Sequence, residues 1–164
     1  MDGAEHPWRL PMVLLGATRA HLSQTHRLLA ERGHPDTRPV HGFALQAVGN
    51  GSTTSEVAGV LGVSKQAAAK TIQVLEKQGY VERTIDSHDA RRKLVVPTPK
   101  GEDFLRKSVE VFAEIRSAWD DAIGTRRLAQ LEHDLDTLCG DMPVRLDAIG
   151  WLGADGRPEE STLE

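Results

Sequence analysis

Cysteine is nearly absent from this sequence, since Cys139 is the single example among 164 residues. One cysteine excludes an intramolecular disulfide and a cysteine-based zinc site. No apolar run reaches the ~18 residues of a membrane span. The first ten residues, MDGAEHPWRL, carry acids where a secretory signal would be basic. We therefore expect a soluble cytoplasmic protein.

Motifs of common enzymes and metal sites are also missing. The sequence holds no glycine-rich phosphate loop and no G-x-S-x-G nucleophile motif. Its seven histidines include no HExxH or HxxxH pair, so we interpret them as surface or core residues and predict no metal site. We expect neither catalysis nor a cofactor.

The charge of the chain is unevenly distributed. The net charge is −4, but residues 64–100 sum to +4 and residues 101–164 sum to −8. A basic middle in an otherwise neutral or acidic chain indicates a local anionic partner. The alternative is an ordinary fluctuation of charge along a small domain. The length predicts one domain, or one domain plus arms.

The chain is predicted to form six helices, and apolar periodicity predicts four of them. Helical spacing covers about residues 9–32 and 39–49, and a long helix is predicted from about residue 100 to residue 123. The last helix starts near residue 125. Its leucines recur at heptad-like spacing, namely Leu128, Leu131, Leu135 and Leu138. Because free cysteine is often buried, we expect Cys139 to pack within this helix.

Two short helices lie between these segments. Thr53 and Glu56 have the spacing of a capping box, which predicts a helix that ends before Gly62. Ser64 is the next N-cap and predicts a helix that runs to Gln78. Two short helices joined by a glycine-containing turn are typical of a helix-turn-helix.

The second short helix has two different faces. An apolar stripe at i, i+3, i+4 and i+7 is expected to face inward, and consists of Ala68, Thr71, Ile72 and Leu75. The opposite face is small and polar, which lets a helix enter a DNA major groove. The predicted DNA-binding residues on this helix are Ser64, Lys65, Gln66, Ala69, Lys70 and Gln73. The alternative is an ordinary solvated face, with alanine present for helix propensity.

A β-hairpin follows the helix pair. Residues 80–85 and 92–97 are β-prone and flank the polar turn DSHDAR. Arginines on such a wing can reach a narrow minor groove. The basic residues predicted to bind DNA here are Arg83, Arg91, Arg92 and Lys93. Asp89 can hold the Arg91 guanidinium in a bidentate orientation. The alternative is a solvated, charged hairpin.

From Thr53 to Gly101 the sequence resembles the winged-helix domain of the MarR (multiple antibiotic resistance regulator) family. Three stretches carry the resemblance. They are TTSEVAGVLGVSKQAAAKTIQVLEKQGYVER at 53–83, D-x-x-D-x-R at 86–91 and T-x-x-G at 98–101. The combination is specific, whereas the helix-turn-helix by itself is not.

The resemblance implies a mainly α fold, an α+β winged helix with about six helices and a two-stranded β-wing. It implies a homodimer joined through the N- and C-terminal helices. It assigns dimerisation helices to residues 1–36 and 100–150 and the winged helix to residues 37–99. The composition of residues 151–164 predicts a flexible tail.

The resemblance also implies roles for single residues. Arg91 matches the wing arginine of the family, and Asp89 matches the acid that holds it. Ser87 departs from a frequent proline, which predicts a looser wing tip. Lys70 departs from a frequent arginine, which predicts a point-charge contact rather than a bidentate one.

A small-molecule effector pocket is a further implication of the resemblance. The expected lining residues are Leu14, Thr18, His21, Phe43, Ala47 and Phe112. The alternative is that these are simply core residues, with His21 a satisfied interior histidine. Redox sensing by Cys139 is disfavoured, since peroxide-sensing relatives place their cysteine near the N-terminal end of the dimer region.

The resulting hypothesis is a homodimeric, sequence-specific DNA-binding regulator, by default a repressor released by an effector. Its two half-sites are expected about one DNA turn apart. The alternative is a winged-helix protein-interaction module without specific DNA binding. Such a module would not need the basic residues Lys65, Lys70, Arg91 and Arg92.

Overall fold

The structure is a computed structural model that describes residues 6–86, 89 and 91–140. The predicted tail at 151–164 and the departure at Ser87 lie outside these residues. The elements in chain order are α1 (Arg9–Glu31), α2 (Pro39–Val48), α3 (Thr54–Leu61), α4 (Lys65–Lys77), β1 (Val81–Ile85), β2 (Lys93–Pro97), α5 (Pro99–Ile123) and α6 (Thr125–Cys139). The predicted mainly α, winged-helix class is confirmed.

Local hydrogen bonds set the ends of the helix pair. The Thr53 hydroxyl accepts a hydrogen bond from the Glu56 N–H at 3.3 Å, and the Glu56 carboxylate accepts one from the Thr53 N–H at 2.7 Å. This is the predicted capping box. Gly62 then ends α3 in the left-handed conformation, with φ of 64°. The Ser64 hydroxyl accepts from the Ala67 N–H at 3.1 Å and starts α4.

The core lies where α2, α3 and α4 pack on the base of the hairpin and on α5. It is mostly aliphatic, and its centre holds fully buried side chains such as Leu45, Ile72 and Val95. The hairpin strands β1 and β2 are antiparallel, with Arg83 opposite Val95. Burial of this apolar surface is the main term that stabilises the helix pair and the hairpin as one unit.

Tyr80 joins the helix pair to the rest of the chain. It lies three residues after the end of α4 and is 1 % exposed. Its hydroxyl lies 3.0 Å from His34 Nδ1, and His34 Nε2 lies 3.0 Å from a carboxylate oxygen of Asp103 on α5. The Tyr80 carbonyl accepts from the Thr98 N–H at 3.0 Å. Hydrogen bonds thereby join Tyr80 to the α1–α2 loop and to the start of α5.

The last helix, α6, buries fewer of its leucines than their heptad-like spacing predicts. Leu128 is the single buried residue of α6, whereas Leu131 is 42 % and Leu138 73 % exposed. Cys139 is exposed, so its expected packing within this helix is wrong. The physical reason is that the described part of the chain places no neighbour over that end of α6.

The N-terminal half of α1 is exposed along its whole length, through residue 20. Six large apolar side chains, 37–63 % exposed, lie on it: Trp8, Leu10, Met12, Val13, Leu14 and Leu15. Burial of α1 residues starts only at Thr25. None of the described helices is long and apolar enough to cross a membrane.

We predict that Gly101→Ala lowers the free energy of unfolding by about 3 kcal/mol. A methyl group at this position would overlap the Tyr80 carbonyl oxygen and lie 3.3 Å from Cβ of Pro97. Urea unfolding followed by circular dichroism measures the change. The control is Gly59→Ala on α3, where an added methyl meets nothing within 4 Å. That control should stabilise by about 0.5–1 kcal/mol. A Gly101→Ala protein of wild-type stability would contradict the close approach.

Candidate nucleic-acid interface and effector pocket

One face of α4 is buried as its apolar stripe predicts. Ala68, Ile72 and Leu75 are completely inaccessible to solvent. Thr71, the fourth residue of the stripe, is half-buried, and its hydroxyl donates to the Ala67 carbonyl at 3.2 Å. The buried stripe fixes the rotation of α4 about its own axis, because turning the helix would expose these side chains to water.

The opposite face of α4 is open to solvent. Lys65, Gln66, Lys70 and Gln73 are exposed, and Ala69 between them is half-buried. No acidic residue occurs on α4 before Glu76. Neither lysine has an ion-pair partner among the residues that the structure describes. The face is therefore small, basic and able to donate hydrogen bonds.

The start of α4 adds positive potential to this face. Ser64 is exposed at the N-cap, and its hydroxyl accepts from the backbone of Ala67. The first N–H groups of a helix carry the positive end of the helix dipole, which favours a nearby anion. Lys65 and Gln66 follow directly, so side-chain and backbone donors lie at the same end of α4.

Asp89 supports the wing in a different way from the one predicted. Its carboxylate accepts a hydrogen bond from the Arg91 backbone N–H at 2.9 Å, instead of holding the Arg91 guanidinium. The Arg92 N–H donates to the Asp89 carbonyl at 2.9 Å, which closes the turn. Asp89 therefore shapes the backbone before β2, and the Arg91 side chain is exposed.

Two wing arginines pair with carboxylates of the helix pair. Arg92 donates to Glu56 on α3 at 2.8 Å and lies 3.6 Å from Asp86. Arg83 donates through Nε to Glu76 on α4 at 3.2 Å. The sequence identified Glu56 only as a capping residue and did not indicate a role for Glu76, because both pairs depend on how the hairpin packs beside the helices. Lys93 is exposed.

A third backbone segment anchors the hairpin. The Ser52 N–H donates to the Val95 carbonyl at 3.0 Å, and the Val95 N–H donates to the Ser52 carbonyl at 2.8 Å. This isolated bridge pairs the loop before α3 with β2. The sequence gives no signal for it beyond turn chemistry at 49–52. The bridge sets the distance between the base of the wing and α3.

A cavity of about 250 Å³ lies between α1, α2 and α5. Its wall is mainly aliphatic and aromatic, with a few polar side chains among the lining residues. The lining residues are Leu22, Thr25, His26, Leu29, Arg38, Pro39, Gly42, Phe43, Gln46, Phe104, Leu105, Ser108 and Phe112. Phe43 and Phe112 of the six expected pocket residues are among them.

The other four expected pocket residues lie elsewhere. Leu14 and Thr18 are on the exposed half of α1, before the cavity begins at Leu22. Ala47 is half-buried and packs against the aliphatic core. His21 stacks on Phe112 with ring centroids 5.6 Å apart. The structure describes no hydrogen-bond partner for its Nδ1, in contrast to the satisfied interior histidine considered from sequence.

Two histidines, His26 and His41, lie near Arg38, which lines the cavity. His41 Nδ1 accepts from the Arg38 N–H at 3.2 Å, which requires the imidazole to keep that nitrogen unprotonated. Burial, followed by the charges of Arg38 and His26, lowers the pKa of His41 to about 4. Burial also lowers the pKa of His26. Among the described residues, no group of three or more His, Cys, Asp or Glu side chains could hold a metal ion.

The sequence of the helix pair and the hairpin turn resembles a known family. Residues 43–92 match the sequence model of the MarR family. The predicted resemblance is thereby confirmed, and a family of non-enzymatic regulators supports the prediction that the chain is not an enzyme. No curated protein sequence matches the chain.

Solved structures of MarR proteins share the fold. A cysteine-to-serine mutant of MarR from E. coli, complexed with operator DNA, is 18% identical with a TM-score of 0.67, over 85% of this chain and 100% of that chain. A MarR family protein from Bacillus stearothermophilus is 18% identical with a TM-score of 0.64, over 79% and 89%. CouR from Rhodococcus jostii, bound to p-coumaroyl-CoA, is 18% identical with a TM-score of 0.61, over 81% and 93%.

We predict that the protein loses stability as the pH falls from 6.5 to about 4. The folded pKa of His41, about 4, lies below the ordinary value of 6.5, so the unfolded chain binds the proton first. The contribution is complete above pH 6.5 and lost near pH 4, and it is on the order of 3 kcal/mol.

His41→Asn tests this prediction. The Asn side-chain oxygen can accept from the Arg38 N–H as Nδ1 does, but it does not titrate. The free energy of unfolding, measured with urea at several pH values, should change less between pH 6.5 and 4 in this variant. His133→Asn, at an exposed position on α6, is the control and should keep the wild-type slope. An unchanged slope in His41→Asn would contradict the assignment.

Proposed function

We propose that the chain is a homodimeric, sequence-specific DNA-binding transcription regulator, a repressor that a small-molecule effector releases. One observation carries the proposal: the exposed face of α4 combines two lysines, two glutamines and a small alanine, with no carboxylate on α4 before Glu76 and no ion pair of either lysine among the described residues. A helix with such a face fits a major groove, where glutamine can pair with adenine and lysine can contact guanine or phosphate.

The charge around α4 supports the same proposal. Residues 64–100 have a net charge of +4, whereas residues 101–164 have −8. Arg91 on the wing is exposed beside the turn. A helix in the major groove with an arginine in the flanking minor groove is a geometry that winged helices can adopt. A mutant of MarR from E. coli has been solved with operator DNA, which supports DNA binding by this chain.

The exposed apolar residues of α1 and α6 support a dimer. Residues 9–20 of α1 are helical and have no buried side chain. A helix that leaves six large apolar side chains in water gains little from packing, and packing supplies most of the stability of helices in proteins. Leu131 and Leu138 on α6 are likewise exposed. A second copy of the chain, covering both helices, would bury these residues.

The cavity between α1, α2 and α5 supports an effector. Its aromatic residues and Arg38, which is also in the lining, suit a flat ligand with an anionic group. CouR has been solved with p-coumaroyl-CoA, which combines an aromatic part and negative charge. Because α2 also packs on α3 and α4, a ligand here would act on the DNA-binding helices.

Selection of genomic fragments by the purified protein at near-physiological salt tests the DNA proposal. Enriched fragments should share a short inverted repeat, with footprinting protection over roughly two helical turns. Retention on random DNA should fall steeply with salt, since phosphate contacts release counterions. If binding does not depend on the salt concentration and no sequence is enriched, the alternative of a winged-helix protein-interaction module is favoured instead.

We predict that Arg91→Ala weakens binding to the selected fragment by about 1–3 kcal/mol. The Arg91 side chain is exposed on the wing, so its loss should remove a DNA contact without disturbing the core. Fluorescence anisotropy with a labelled duplex gives the dissociation constant. Arg27→Ala is the control, because it removes the same charge from the exposed side of α1, where Arg27 pairs with Glu31. Equal binding by wild type and Arg91→Ala would remove Arg91 from the interface.

We predict a dimer in solution, with twice the chain mass of 17.9 kDa in sedimentation equilibrium. Leu10→Glu on α1 should shift the population towards the single chain, because it places a charge in the apolar contact. Val60→Glu on α3 makes a comparable change at an exposed valine outside α1 and α6, and should leave the dimer intact. A wild-type protein of 17.9 kDa would rule out the dimer.

A further inference from the structure

We propose that Glu56 and Glu76 hold the wing in position through Arg92 and Arg83. These two arginines are then positioning residues, and Arg91 is the wing arginine that contacts DNA. The inference rests on the proposed function, because it divides the basic residues of the wing between two roles in DNA binding.

Glu56 is a fixed anchor because both of its carboxylate oxygens are engaged. One oxygen accepts from the Thr53 N–H at 2.7 Å in the capping box, and the other accepts from Arg92 at 2.8 Å. The hydrogen bonds with Thr53, and then the charge of Arg92, lower the pKa of Glu56, which keeps the group charged near neutral pH. Since the cap already orders the Glu56 side chain, the contact with Arg92 needs little further ordering.

Arg92 lies between two carboxylates at the end of the hairpin turn. Glu56 is on one side, and Asp86 lies 3.6 Å from the other guanidinium nitrogen. The Asp86 N–H also donates to the Arg92 carbonyl at 3.0 Å, so the backbone of the hairpin holds Arg92 in place. A DNA phosphate would have to displace these acids in order to bind Arg92.

Arg83 connects the other strand to the other helix. Its Nε donates to Glu76 in the last turn of α4 at 3.2 Å. The Arg83–Glu76 pair joins β1 to α4, and the Arg92–Glu56 pair joins the start of β2 to α3. A two-stranded hairpin has little stability of its own, so contacts of this kind determine how it sits beside the helices. The side chain of Arg91 has no ion-pair partner in the part of the chain that the structure describes, and it is free to reach outward.

The central comparison of the test measures DNA binding by five proteins over about 50–200 mM salt. They are the wild type, Arg91→Gln, Arg92→Gln, Glu56→Gln and the double variant with both Glu56→Gln and Arg92→Gln. The probes are a duplex with the selected inverted repeat and a scrambled duplex of the same composition. Glutamine at position 56 keeps an oxygen for the Thr53 N–H, so the helix cap survives.

Glu82→Gln is the matched control for charge. Glu82 is exposed on β1, and no ion pair of its side chain occurs among the described residues. Glu82→Gln removes one negative charge, as Glu56→Gln does, but it breaks no contact between the wing and α3. Thermal unfolding of every variant shows whether the fold is intact.

Different salt dependences are expected for the two arginines. Arg91→Gln should lower the slope of log affinity against log salt by about 0.9 per wing, because one cation that contacts DNA and releases a counterion is lost. Arg92→Gln and Glu56→Gln should keep the wild-type slope and each weaken binding to the selected duplex by about two- to fivefold, as expected for an exposed ion pair. The double variant should be no weaker than either single variant. Arg83→Gln and Glu76→Gln should behave in the same way.

The opposite pattern would overturn the inference. If Arg92 contacts phosphate, Arg92→Gln lowers the slope, and Glu56→Gln tightens binding more than Glu82→Gln does, because a competing acid is gone. Single variants without any effect would equally overturn it. In both cases selective binding by the wild type remains, so the proposed function stands. A wild type that does not distinguish the two duplexes would refute both.

Discussion

The position of α4 depends on Tyr80, the buried residue that follows it. Its hydroxyl is hydrogen-bonded to His34, and its carbonyl accepts a hydrogen bond from the Thr98 N–H. Its ring packs against Phe104, with ring centroids 5.7 Å apart. Gly101 is required beside it, since any Cβ would overlap the Tyr80 carbonyl. Two chain segments outside the helix pair therefore hold the end of α4, and the helix cannot rotate or slide without breaking buried hydrogen bonds, which are costly to leave unmade.

The same junction connects α4 with the cavity. Phe104 lines the cavity on one side and packs against Tyr80 on the other. His34 bonds to Asp103, whose pKa is lowered to about 2, chiefly by the hydrogen bond with Lys107. Packed aromatic rings and buried hydrogen bonds transmit a displacement because the interior has little free volume. A ligand that moves Phe104 would act on α4 through Tyr80, which is a physical route for the effector in the proposed function.

Sequence patterns predicted the helices and strands well, but they predicted less well which residues these elements pack against. The capping box at Thr53, the N-cap at Ser64 and the stripe through Ala68, Ile72 and Leu75 all depend on neighbours within a few residues, and the structure contains each of them. Burial of Cys139 was wrongly expected, because a periodic pattern does not reveal what covers a helix face. The cavity includes two of the six residues expected from the family resemblance.

The sequence alone determined where helices and strands begin and end, and which side of α4 is apolar, because capping, turn formation and helical periodicity are local properties of the chain. Tertiary structure decided which charges are paired and which are open. Glu56 and Arg92 are 36 residues apart, and His34 and Asp103 are 69 apart, yet each pair is in contact. Such contacts depend on how the elements pack, and packing follows from the summed burial of many side chains rather than from any single motif.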